Sequence, residues 1–248
     1  MQRIKCTVSY DGTAFNGYQV QPGQRTVQGV LEKALTKVHK GKFVKVISSG
    51  RTDAGVHAIG QVFHFDTDFS IPEEKWPVVL NSILPDEVVI VSAKYVQDDF
   101  HARYSVKQKQ YRYKVMLGER RSPFTRDFSL YYPYQLDLEA IQIAAHYFIG
   151  EHDFTSFCST KTDKEDKVRT IHNIKVEQDD LELTFSFTGN GFLYNMVRII
   201  VGTLLEVGSG RKKPEEIPVI LNKRDRKAAG KTAAAHGLYL WQVQYEEN

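Results

Sequence analysis

Chemistry is best sought in this chain where a carboxylate, a guanidinium and several small residues crowd together, in "SSGRTDAGVHA" at positions 48–58. Asp53 is the first acid after Glu32; Arg51 stands two residues before it and Gly55 two after. A guanidinium within reach favours the ionised form of a carboxylate. Ala54, Gly55 and Ala58 let a large substrate approach the backbone closely. Such surroundings suit a nucleophile or a general base rather than an acid held protonated. The same residues also fit an aspartate that caps a turn or a helix. Arg198 is the second candidate. It is the only charge between Phe192 and Leu205, and a cation buried in such a run needs a partner, which a carboxylate such as Asp53 would supply. In "KQYRYKV" at 109–115, Tyr111 and Tyr113 have the same strand parity, so either one fits a stacking platform or an inward core aromatic.

Several chemistries are excluded or disfavoured. No GxxxxGK[ST] or GxGxxG phosphate cradle is present. "SYDGT" at 9–13 resembles part of a magnesium-dependent phosphatase motif, but the position two before Asp11 is Ser9, so that nucleophile is missing. His57 and His64 flank a strand without further ligands at metal spacing, and are expected to be packed or exposed on a sheet rather than to hold a metal. Cys6 and Cys158 lie far apart with no CxxC, which argues against a disulfide scaffold or cysteine zinc site and suits a reducing compartment. The apolar run "VVIVSA" at 88–93 is far too short to span a bilayer, and the first residues show no leader pattern. The expectation is a cytoplasmic protein with no membrane, metal or organic cofactor.

Net charge is +3, but its distribution says more. Lys33, Lys37, Lys40, Lys42, Lys45 and Arg51 are uninterrupted by acid, as are Arg103, Lys107, Lys109, Arg112 and Lys114; "NKRDRKAAGK" at 222–231 is a third basic stretch. Acids collect elsewhere, as in "EQDDLE" at 177–182. Each basic stretch alone fits a solvated face, whereas three with interleaved aromatics point towards nucleic acid.

The elements that must position these residues follow from periodicity. Strands are predicted at "IKCTVSY" (4–10), "FVKVISS" (43–49), "QVFHFDT" (61–67) and "VVIVSAKYV" (88–96), with a helix over 26–40 capped by Thr26 and another opened by Pro72. The second half repeats the mixture. It has strands at 109–117, 171–178, 181–189 and 238–245, and helices at 138–148, 192–208 and after Pro214. Two similar subdomains are expected, 1–100 and 101–248. Strands outnumber what alternating βα units need, so the fold class is α+β with a mostly antiparallel sheet flanked by helices. The tract "STKTDKEDKVRT" at 159–170 is expected to be a mobile surface loop.

"SYDGTAFNGYQVQ", "SGRTDAGVHA", "KQYRYKV", "GFLYNMVRIIVGTLLEVG" and "HGLYL" occur in this order across nearly the whole chain. Together they resemble the TruA-type tRNA pseudouridine synthases. That resemblance implies the pseudouridine synthase fold, a homodimer, and isomerisation of uridine at positions 38–40 of the tRNA anticodon stem-loop without a cofactor. It implies that Asp53 is the essential aspartate, either a nucleophile on C1′ or a base at C2′, that Tyr111 stacks on the target base, and that Arg198 pairs with the aspartate. Leu238 matches the apolar residue that packs against the base. Arg51 is then a candidate to contact the flipped nucleotide or to enter the gap it leaves; holding Asp53 is the alternative. One departure stands out. The family commonly has prolines before the terminal "GL", whereas this chain has Ala233, Ala234 and Ala235, which predicts a less rigid approach to Leu238. A rival of another class is a non-catalytic RNA-binding module presenting aromatics on strands, although "QYRYKV" is not its signature.

Overall fold

From Ile4 onward every second residue of strand β1 (Gln2–Tyr10) is apolar and buried, so one face of this strand is sealed from Ile4 to Tyr10. In the computed structural model, which describes residues 1–162 and 165–246, the chain divides into two units. The first comprises Met1–Lys107 and Tyr239–Asn248, the second Gln108–Leu238. The expected division was a single cut after residue 100; the observed first unit also takes in the last strand of the chain.

In the first unit β1 lies between β3 (His57–Thr67) and β4 (Val88–Val96), antiparallel to both, with Cys6 opposite Phe63 on one side and Ala93 on the other. β10 (Leu238–Tyr245) adds to the far side of β3 in parallel, Tyr239 opposite His57. Helix α1 (Val27–Val38) begins where expected, with the Thr26 hydroxyl accepting a hydrogen bond from the Gly29 amide; it buries Val27, Leu31, Ala34 and Leu35. Helix α2 (Lys75–Asn81) buries Trp76 and Leu80. The strand expected over 43–49 is reduced to β2, Ile47–Ser48, paired with β3. Val44 and Val46 are still buried, but the Val46 amide donates to Glu32 Oε1 at 3.2 Å, so its backbone is bonded to helix α1 rather than to a ladder.

The second unit carries β5 (Val106–Leu117), β8 (Val168–Asp179), β9 (Glu182–Gly189) and β7 (Gly150–Asp153) in the order β5-β9-β8-β7, each neighbour antiparallel. β6 (Leu130–Tyr132) runs parallel to the end of β5. β6 and β7 were not expected, because three or four residues are too few for a periodic signal. Helices α3 (Leu138–His146), α4 (Met196–Gly208) and α5 (Glu216–Lys223) complete the unit. The helix expected from 192 starts four residues later: Asn195 is left-handed (φ 61°), a conformation that cannot continue a right-handed helix. Residues 163 and 164 of the expected surface loop lie outside the described residues, and β8 already begins at Val168.

Candidate active site

The turn after β1 and the aspartate loop are one construction within the first unit. The Tyr18 amide donates to the Thr52 carbonyl at 3.0 Å, the Gly55 amide to the Phe15 carbonyl at 3.3 Å, and the Val56 amide back to the Asp53 carbonyl at 3.1 Å. Two glycines of "SYDGTAFNGY" make this approach possible. A Cβ on Gly12 would lie 2.1 Å from the Val56 oxygen, and one on Gly17 2.9 Å from the Thr52 oxygen; Gly17 also has φ +85°. "SYDGT" therefore packs against the loop instead of forming a phosphatase nucleophile site. Its Asp11 accepts from the Thr13 amide and hydroxyl.

Below the loop several polar side chains are paired, although the buried Tyr18 hydroxyl has no hydrogen-bond partner among the described residues. The Tyr10 hydroxyl is 2.8 Å from Thr52 Oγ1, Ser49 Oγ donates to Gln61 Oε1 at 2.5 Å, and Gln61 Nε2 donates to the Gly50 carbonyl at 3.0 Å. Thr52 is buried, Asp53 is half-buried and Arg51 is exposed. Asp53 thus stands half-buried on a loop whose backbone is tied down on both sides. Sequence reasoning missed Tyr10, Thr52 and Gln61; a tyrosine ending an alternating strand gives no sign that it meets a loop 42 residues later.

His57 and His64 are both buried on the sheet, which decides between the packed and exposed placements that the sequence left open. His57 Nδ1 accepts from the Gly12 amide at 3.0 Å and lies 3.2 Å from Asp11, while the ring stacks on Tyr239 with centroids 4.8 Å apart. His64 Nδ1 accepts from the Ala102 amide at 3.1 Å. Among the described residues no group of three or more His, Cys, Asp or Glu could hold a metal ion. Nor does any helix among them have the length and apolarity to cross a membrane.

The second unit separates the two tyrosines that sequence parity could not. Tyr113 is fully buried, with its hydroxyl donating to the Ala234 carbonyl at 2.8 Å. Tyr111 is half-buried, and its ring meets Phe192 edge-on at 5.1 Å. Arg198, near the start of α4, is half-buried. Its Nε donates to the Ala233 carbonyl and one terminal nitrogen to Asn195 Oδ1, both at 2.8 Å, while the Ala233 amide donates to the Arg198 carbonyl at 3.0 Å. In the structure Ala233 is bonded to Arg198 through both its carbonyl and its amide, and the Ala234 carbonyl to Tyr113. Gly237 is equally constrained, since a Cβ there would lie 2.7 Å from the Tyr113 ring. Leu238 is 6% exposed.

Comparison with known proteins agrees with this arrangement of motifs. The chain matches the family model described as tRNA pseudouridine synthase over residues 7–105 and 144–246. A tRNA pseudouridine synthase A of Anoxybacillus flavithermus is 58% identical over 246 residues, covering 99% of this chain and 100% of that protein. A tRNA pseudouridine synthase A 1 of Bacillus cereus is 59% identical over 245 residues, covering 99% of each chain. In a Geobacillus species, a tRNA pseudouridine synthase A is 55% identical over 245 residues, again covering 99% of each.

Proposed function

The chain belongs to the tRNA pseudouridine synthase family, and from that premise we propose that it isomerises uridines at positions 38–40 of the tRNA anticodon stem-loop with Asp53 as the reacting carboxylate. The family's reaction is an isomerisation: the N1–C1′ bond of uridine breaks and a C5–C1′ bond forms, N1 gains a proton and C5 loses one. Nothing is oxidised or hydrolysed, so the chemistry needs a carboxylate, a held base and a held sugar. The observation that carries the assignment is the presentation of Asp53, half-buried at the edge of a loop clamped by the 12–18 turn.

Asp53 acts as a nucleophile on C1′ or as a base taking the C2′ proton to give a glycal; both routes start from the ionised form. We assign Tyr111 the stacking contact with the base, worth about 1–3 kcal/mol for an aromatic on a nucleobase. Its half-buried ring supports that assignment over Tyr113, which is core. Arg198 is assigned the counter-charge of the carboxylate, and Leu238 a small apolar edge against the base. The target must leave its stack at a cost of a few kcal/mol. Arg51, exposed beside Asp53, is assigned to the flipped nucleotide or the gap it vacates. The basic stretches at 33–51, 103–114 and 222–231 would bind phosphates. A homodimer would give so small a chain enough basic surface for both arms of a tRNA, and the cytoplasm is the compartment we propose.

Tritium release from an unmodified tRNA transcript carrying 5-tritiated uridine tests the proposal, with EDTA present and no cofactor added. Wild type releases tritium and Asp53→Asn does not, while both retain the RNA. Equal release by the two proteins would remove Asp53 from the mechanism.

A further inference from the structure

On its helix-covered face, the sheet of the first unit ends beside the aspartate loop in polar side chains that no step of the proposed reaction uses. Tyr10, the last residue of β1, is 3% exposed; Thr52, Ser49 and Gln61 are also buried. Burial, the largest influence, pushes the Tyr10 phenol well above its ordinary range, against hydrogen bonds from Thr52 and Gln61, so this group stays a neutral hydroxyl. Buried polar groups cost stability unless paired, and apolar residues of similar volume would fill the same space without that demand. What these groups have in common is their target, residues 50–52 of the loop, immediately before Asp53. The Tyr10 hydroxyl meets the Thr52 side chain, the Tyr18 backbone amide meets the Thr52 carbonyl, and the Gln61 side chain meets the Gly50 carbonyl. With Thr52 drawn into the core, its neighbours Arg51 and Asp53 are left on the accessible side.

We infer that the Tyr10–Thr52 hydroxyl pair, backed by Gln61, is a positioning device that sets the direction of the Asp53 carboxylate. Tyr10 and Thr52 are positioning residues acting through Asp53, not groups that touch the RNA. The inference rests on Asp53 being the reacting carboxylate. It predicts a loss in the chemical step rather than in binding, because attack on a sugar carbon or its proton tolerates little displacement of the attacking oxygen.

Multiple-turnover tritium release, with kcat and KM for tRNA resolved, tests it on six proteins: wild type, Asp53→Asn, Tyr10→Phe, Thr52→Val, the Tyr10→Phe/Thr52→Val double variant, and Thr52→Ser. Tyr10→Phe and Thr52→Val should each lower kcat by between about ten- and a hundredfold with KM unchanged. The double variant should lose no more than the worse single one, because both remove the same bond. Thr52→Ser keeps the hydroxyl and should restore wild-type kcat. A purely structural role would lower the melting temperature and leave kcat of the folded protein intact, or make the two losses multiply; either result overturns the inference. A Thr52→Ser variant as impaired as Thr52→Val overturns it too. Asp53→Asn as active as wild type refutes the underlying assignment of Asp53. Asp53→Asn inactive beside a fully active Tyr10→Phe refutes the positioning device alone.

Discussion

Burial and, after it, the nearby Arg3 and His101 charges hold His64 unprotonated, its pKa depressed to about 4 against a partial pull from Asp66. The geometry agrees, because its Nδ1 accepts from the Ala102 amide and would lose that bond on protonation. An unfolded imidazole titrates near pH 6.5. Between these two values the unfolded chain binds a proton that the folded chain does not. Stability is therefore fully present above about pH 6.5 and is lost as pH falls towards about 4, by on the order of 2–3 kcal/mol. Urea unfolding at pH 7 and pH 4.5 should show this fall, and His64→Gln should reduce its slope by about one proton. An unchanged slope in the variant would show that His64 does not contribute. At this scale the sequence exposed Asp53 and Arg198 through their isolation, one in a run of cations and the other in a run of apolar residues. It could not rank Tyr111 against Tyr113, since parity puts both on one face and only the packing of the Ala234–Gly237 segment buries the second.

Helix α4 is the element on which the second unit's candidate residues depend. Eleven of its residues are buried, and Arg198 sits in its first turn. The segment 230–233 runs directly alongside it. The Gly230 amide donates to Thr203 Oγ1 at 2.9 Å and the Lys231 amide to Glu206 Oε1 at 3.1 Å, before Ala233 exchanges bonds with Arg198. Gly202 allows this approach, because a Cβ there would lie 1.8 Å from the Lys231 oxygen. Gly202→Ala should displace the segment, destabilise the protein by about 1–3 kcal/mol as overpacking does, and lower tritium release by weakening the hold on Arg198. Wild-type melting temperature and turnover in this variant would show that the contact is relieved cheaply. The long apolar run made α4 easy to foresee, but its start was not. The left-handed Asn195 delays the helix to Met196; asparagine tolerates that conformation better than most residues, but inside so apolar a run its type alone was too weak a signal of a break.

At the scale of the whole chain, the first unit is not continuous in sequence. β10 pairs with β3, the Tyr245 hydroxyl donates to the Ala102 carbonyl at 2.7 Å, and Lys5 lies over the Tyr245 ring. Gly60 is pressed against the Trp241 carbonyl, to which a Cβ would come within 2.6 Å. Residues 1–107 expressed alone should therefore fail to unfold cooperatively, because the start of β3 at His57 and Ala58 would lose its β10 partner and the His57 ring would be uncovered. A sharp denaturation transition for that fragment would show that β10 is dispensable. The expected boundary at residue 100 marked where the mixture of strands and helices repeats, and composition carried no sign that the last strand returns to the first unit.

The sequence by itself determined the class of elements, the isolation of Asp53 and Arg198, the segregation of basic residues and the resemblance that named a reaction. These depend on residue type and local period, which a linear reading preserves. Tertiary structure alone decided that "SYDGT" clamps the aspartate loop, that Tyr10 and Gln61 support it, that Tyr113 is core while Tyr111 is half-buried, and that Ala233 and Ala234 bond to Arg198 and Tyr113. Each of these is a contact between residues distant in sequence, made by backbone groups and single polar side chains. Their partners become visible only when the chain has folded.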